Sequence, residues 1–141
     1  MIERASRRWA AGEPSRWGLA LPDDQLVGTC GFNDWSEAHR WAELAFDLAQ
    51  PQWGQGLMPR AVAAALAWIF RQEQVPLNRV QAFVRVDNLR STRVLERSGF
   101  LREGRLRSYR VCRGLAHDFY LYGLLRADWT AAQPLNEGGK P

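Results

Sequence analysis

Lysine is nearly missing from this chain: Lys140 is the only one, and arginine supplies the rest of the 19 basic residues. A patch of flexible ammonium groups is therefore excluded, and the positive charge sits on planar forks that suit phosphate and carboxylate. Cysteine and histidine are scarce as well, at two each. Cys30, Cys112, His39 and His117 lie without ligand spacing, which argues against a disulfide framework and against a zinc site. Such sparse cysteine fits a reducing, cytoplasmic setting. No apolar run approaches the ~18–20 residues of a membrane span. The first twelve residues are charged and lack the apolar centre of a signal peptide.

What is present suits one soluble domain. The 141 residues are 46% hydrophobic and 24% charged, with a formal net charge of +4. A single core of modest size is expected over residues 1–130. Residues 131–141 are polar, with Pro134, Gly138, Gly139 and Pro141, and read as a disordered tail. The basic balance is open to nucleic acid, an acidic partner or a polyphosphate ligand, and composition does not choose among them.

Periodicity gives the order β-β-β-α-β-α-β-β, a mixed sheet with helices rather than a regular βαβ array. Residues 2–11 read as the end of a helix. Residues 17–21 and 26–32 form a hairpin around Pro22-Asp23-Asp24. Residues 33–40 read as a connection and 41–48 as a third strand. Residues 57–72 form a helix whose stripe is Val62, Leu66 and Ile69. A central strand spans 78–86, and a short helix starts at Asn88 and stops before Gly99. Residues 100–109 and 118–125 close the sheet.

Two segments carry the chemistry. The loop Pro51-Gln52-Trp53-Gly54-Gln55-Gly56 joins a strand to a helix. Its glycines let backbone approach a ligand, and the free N–H groups of the helix start favour phosphate. An isolated G-x-G is equally an ordinary turn. In the second segment, Asn88 is placed as an N-cap and Ser91 lies one turn later. Read alone, these are a cap and a polar first-turn residue.

Taken in order, strand 42–46, the loop Trp53-Gly54-Gln55-Gly56, Asn88-x-x-Ser91, Gly99-Phe100 and Glu103-Gly104 resemble the GNAT superfamily, in particular its RimJ/RimL-like branch. The resemblance covers roughly residues 16–129. It implies an α/β (α+β mixed) sheet of the acyl-CoA N-acyltransferase fold, with a bulge in strand 41–48 that splays it from strand 79–86. It implies acetyl-CoA as cosubstrate and no metal. The pantetheine arm would lie in that cleft against Phe46, Asp47 and Leu48, and the pyrophosphate on Gln52, Trp53, Gly54, Gln55, Gly56 and Leu57. Asn88 would bond the arm. Glu43 would act as base and Ser91 would protonate the departing sulfur. The acceptor would be a primary amine, on a protein N-terminus or a small molecule.

The pattern is not complete. Leu95 stands where the family's tyrosine acid usually falls, and Arg110 where some of the branch carry a glutamate. Pro51 replaces the glutamine that often opens the loop, and Arg60 an acidic residue of the next helix. Relatives usually place a strand and two helices before Trp17, so the fold is expected to be N-terminally shortened, and apolar surface beside residues 16–21 would favour a homodimer. A non-catalytic acyl-CoA-binding module of the same fold is one rival. A nucleic-acid-binding protein, suggested by Arg102, Arg105, Arg107, Arg110 and Arg113, is the weaker one, since no recognition motif accompanies them.

Overall fold

The computed structural model describes residues 16–73 and 76–133. Strands β1 (Arg16–Ala20), β2 (Leu26–Ser36) and β3 (Trp41–Leu48) lead into helix α1 (Leu57–Phe70). Then come β4 (Arg79–Arg85), α2 (Leu89–Arg97), β5 (Leu101–Cys112), β6 (Leu115–Leu125) and α3 (Arg126–Ala132). The six strands form one sheet in the order β1-β2-β3-β4-β6-β5. All neighbours are antiparallel except β3 and β4, which run parallel.

Alternation along the strands sends one set of side chains to the helical face. Cys30, Phe32, Ala42, Leu44, Val80, Ala82, Val84, Tyr122 and Leu124 are all buried there, with Val62, Leu66, Ile69 and Phe70 of α1 packed over them. Each large side chain so buried stabilises by roughly 1.5–3 kcal/mol. Trp17 and Trp68 meet edge to face at 5.1 Å and belong to this core. Cys30 is among its most enclosed members, and burial pushes its thiol pKa up to about 12, so it stays protonated and unreactive.

Several boundaries differ from the sequence expectation, each for a local reason. Residues 33–36 belong to β2 rather than to a connection. The register shifts between Phe32 and Asp34, so Asn33 is an extra residue that breaks the alternation. The expected bulge is therefore in β2 and not in β3, whose own register is continuous from Trp41 to Leu48. Helix α1 stops at Phe70, two residues early, with Arg71 as its C-cap. Strands β5 and β6 run on to a two-residue turn at Arg113 and Gly114, both with positive φ (53° and 80°). That turn type suits a hairpin's twist, but an arginine in the left-handed region gives little sequence warning. Ala131 and Ala132, assigned to the tail, are the last residues of α3. The helix expected over residues 2–11 and the remaining tail, 134–141, lie outside the described residues.

Candidate active site

The site begins where the parallel pair comes apart. β3 and β4 are paired only at Trp41 with Arg79, Ala42 with Val80, and Glu43 with Gln81. Past that point β4 stays bound to β6 as far as Arg85, while β3 stays bound to β2 as far as Leu48. A slot opens between them. Ladder geometry fixes what faces it. The Ala49 N–H donates to the Val27 carbonyl at 2.7 Å, so alternation turns the peptide groups of Leu48 and Phe46 away from β2. The Leu48 carbonyl accepts from the Trp53 indole N–H at 2.8 Å. The peptide groups of Phe46 face the slot beyond the last paired position of β4.

Two adjoining cavities occupy this space. The first, about 450 Å³, is lined by Phe46, Asp47, Leu48, Gln52, Trp53, Gly54, Gly56 and Leu57 on one side, and by Asn88, Arg90, Ser91, Arg93, Val94 and Arg97 on the other. The second, about 390 Å³, shares Phe46, Asp47, Asn88 and Ser91 with it. It is lined by Leu44 and Ala45 of β3 and by Ala82 and Phe83 of β4, neighbours that point to opposite faces of the sheet. The slot therefore passes through the sheet, with α1 and α2 at one mouth and Arg16, Arg85, Arg110 and Phe119 at the other.

The loop at the helical mouth is built by glycine conformation. Gly54 and Gly56 have φ of 82° and 73°, and a Cβ at either would touch nothing within 4 Å. These glycines are needed for the backbone shape, which leaves the space above them open to a ligand. Gly56 is the N-cap of α1 in the left-handed region, makes no side-chain cap, and no acidic residue follows in the first turn. The N–H groups of that turn and the helix dipole are thus free for an anion. Arg90, Arg93 and Arg97 add positive charge from α2, and Arg90 stacks on Trp53 at 4.1 Å. Sequence reasoning missed these three arginines, although their spacing of three and four residues on one helix was a usable signal.

Asn88 caps α2, accepting from the Ser91 N–H at 3.2 Å through Oδ1. The cap is worth about 1 kcal/mol, and it places the Ser91 side chain where both cavities meet. Among the described residues the Ser91 hydroxyl makes no hydrogen bond. Leu95, one turn on, is buried and lines the second cavity. Gln55 lines neither cavity; its amide donates to the Pro51 carbonyl at 3.4 Å. Glu43 also lines neither. It sits at the closed end of the slot, its side chain 15% exposed, with the Arg110 guanidinium 3.9 Å away. Burial raises its pKa, and Arg110 opposes this without cancelling it. Among the described residues there is no group of acidic, histidine or cysteine side chains able to hold a metal.

A family model described as an acetyltransferase (GNAT) domain matches residues 1–101. The chain belongs to the GNAT acetyltransferase family. Its relatives include an uncharacterized N-acetyltransferase, p20, of Bacillus licheniformis, 31% identical over 92% of this chain and 72% of that protein. The [ribosomal protein uS5]-alanine N-acetyltransferase of Escherichia coli is 31% identical over 84% of this chain and 61% of its own length. Among solved structures, a probable acetyltransferase superimposes with a TM-score of 0.78 at 32% identity, covering 91% of this chain and 71% of the other. A spermidine/spermine N-acetyltransferase of Vibrio cholerae, 20% identical, shares the GNAT fold with a TM-score of 0.78 over 94% of this chain and 78% of its own. This GNAT domain is thus one of the N-acetyltransferases, whose family uses acetyl-CoA.

Proposed function

We propose that the chain transfers an acetyl group from acetyl-CoA to a primary amine bound at the opposite mouth of the slot. The observation that carries this is the slot itself, open through the sheet between a positive-φ glycine loop and a partly buried carboxylate. On this reading the amides of residues 52–57 and the arginines of α2 hold the phosphates. The peptide groups of Phe46, with Asp47 and Leu48 beside them, pair with the pantetheine arm, and Asn88 contributes its free amide N–H. The reaction forms an N–C bond and breaks the thioester C–S bond. The amine gives up a proton and the sulfur leaves as a thiolate. Glu43 takes the proton, directly or through water, because a carboxylate of raised pKa is a better base near neutrality. A Phe46 or neighbouring N–H stabilises the developing oxyanion, which is worth roughly 3–4 kcal/mol. The Ser91 hydroxyl, without a hydrogen bond among the described residues, meets the departing sulfur.

The test is a transfer assay with acetyl-CoA against short peptides and small amines, following thiol release together with acetylated product. Amine-dependent release supports the reading. Tight CoA binding with no transfer to any amine would leave a non-catalytic acyl-CoA module, and binding only to RNA or DNA, with a steep salt dependence, would discard both.

A further inference from the structure

The acceptor mouth of the slot carries a chemical signature of its own. Three arginines line it: Arg16, Arg85 and Arg110. Two are satisfied, since Arg16 bonds Asp47 at 3.2 Å and Arg85 bonds Asp87 at 2.6 Å. Arg110 is different. Its nearest anion is Glu43 at 3.9 Å, beyond hydrogen-bond distance, and among the described residues its guanidinium donates no hydrogen bond. It is held in place by rings instead, with Phe119, Tyr109 and Phe83 at 5.0, 5.2 and 5.4 Å from its central carbon. Phe83 stacks on Tyr109 at 5.1 Å, and Tyr109 meets Phe119 edge-on at 5.8 Å, so the platform is continuous. The side chain remains about half exposed, at 49%. A fixed fork of N–H donors, partly desolvated by aromatic faces and lacking an acceptor, matches the two oxygens of a carboxylate.

We propose that the acceptor is a small amine bearing a carboxylate near its nitrogen, as a free amino acid does, with the carboxylate on Arg110 and the nitrogen toward Glu43. This rests on the N-acetyltransferase reading of the slot. Arg110 and Glu43 are close enough to be bridged by one zwitterion, yet too far apart to satisfy each other. A polyamine brings only positive charge, and so offers the Arg110 guanidinium no acceptor. A peptide N-terminus offers Arg110 a neutral carbonyl, because its α-carboxyl is bound in an amide.

The experiment compares matched acceptors at saturating acetyl-CoA with the full chain: several apolar amino acids, the amine each yields on decarboxylation, the corresponding amino acid amides, and spermidine. The expected kcat/KM for the carboxylate form exceeds that of its decarboxylated partner by roughly 10–100-fold, the size of a hydrogen bond to a charged group. Arg110→Gln should erase that ratio by raising KM for the carboxylate acceptor. Arg110→Lys, which keeps the charge but not the fork, should restore part of it. Unaltered calorimetric affinity for CoA shows that both variants are folded. Equal or better use of decarboxylated amines or spermidine overturns the proposal while leaving the acetyltransferase reading intact, and so does an unchanged ratio in Arg110→Gln. Transfer to no member of the panel overturns both.

Discussion

Glu43 is subject to opposed influences, and their balance makes it testable in two independent ways. Burial, and less strongly the Asp34 charge, raise its pKa; the Arg110 charge and a hydrogen bond from Gln81 lower it, and the net direction is upward. As a base it works only when ionised, so kcat/KM should fall as pH drops through that raised value. Glu43→Gln should remove this acid limb and lower kcat/KM by about 10²–10⁴-fold. A pH–rate profile of the variant with full activity across neutral pH reduces Glu43 to a strand carboxylate. Stability has the opposite sign. A folded pKa above the unfolded one means the native state holds more protons between the two values, so the Glu43 contribution is best below the ordinary carboxylate value. It is lost as pH rises through the raised one. Glu43→Gln should therefore be more stable than the wild type to urea at pH 7, with the two converging near pH 4. A less stable variant at pH 7 means that the Arg110 attraction outweighs burial. Ser91 separates along another axis. Its side chain lies at the junction of the two cavities without a hydrogen-bond partner among the described residues, so Ser91→Ala should lower kcat more than CoA affinity. The reverse pattern makes it a binding residue only.

At the level of elements, the site combines two local motifs with one long-range accident of pairing. The local motifs were legible in the sequence because their chemistry is local. The loop at 51–56 needs glycine wherever φ is positive, and the start of α2 needs a capping side chain, which Asn88 supplies. Periodicity did not supply strand order; the cleft between strands 41–48 and 79–86 was expected only from the family resemblance. Arg110 on β5 reaches Glu43 on β3 across the two strands that separate them, β4 and β6, an approach no periodicity announces. The Asn33 bulge hid the end of β2 by breaking the alternation that strand reading relies on. The loop offers a clean test. Since a Cβ at Gly54 or Gly56 meets no protein atom, replacing both with valine strains the backbone without disturbing the core. The double variant should stay folded by circular dichroism and lose CoA binding. Undiminished affinity measured by calorimetry would mean that the phosphates bind elsewhere.

Seen as a whole, the molecule is one sheet held together on both sides of a split. The β1-β2-β3 group and the β4-β6-β5 group share one continuous core under α1, but between β3 and β4 only three residue pairs join them. Beyond Glu43 the side of β3 that faces β4 has no strand partner among the described residues, and such an edge opens more readily than a paired one. A ligand whose arm pairs with Phe46 and whose phosphates rest on α1 while touching α2 would tie the groups together. Binding to the native state alone stabilises by about 2.7 kcal/mol at a hundredfold excess over Kd. For a domain of this size that raises Tm by about 5–10 °C. The gain should also be local in a particular way. Hydrogen exchange in the presence of CoA should slow most at the amides of Phe46 and Leu48 and in the first turn of α1. The β5–β6 hairpin, already paired on both sides of the irregularity between Leu106 and Arg110, should change little. A rise in Tm with uniform protection would indicate general stabilisation without insertion into the slot. Protection concentrated on β5 and β6 would place the ligand on the arginine-rich hairpin and remove the argument for pairing at Phe46.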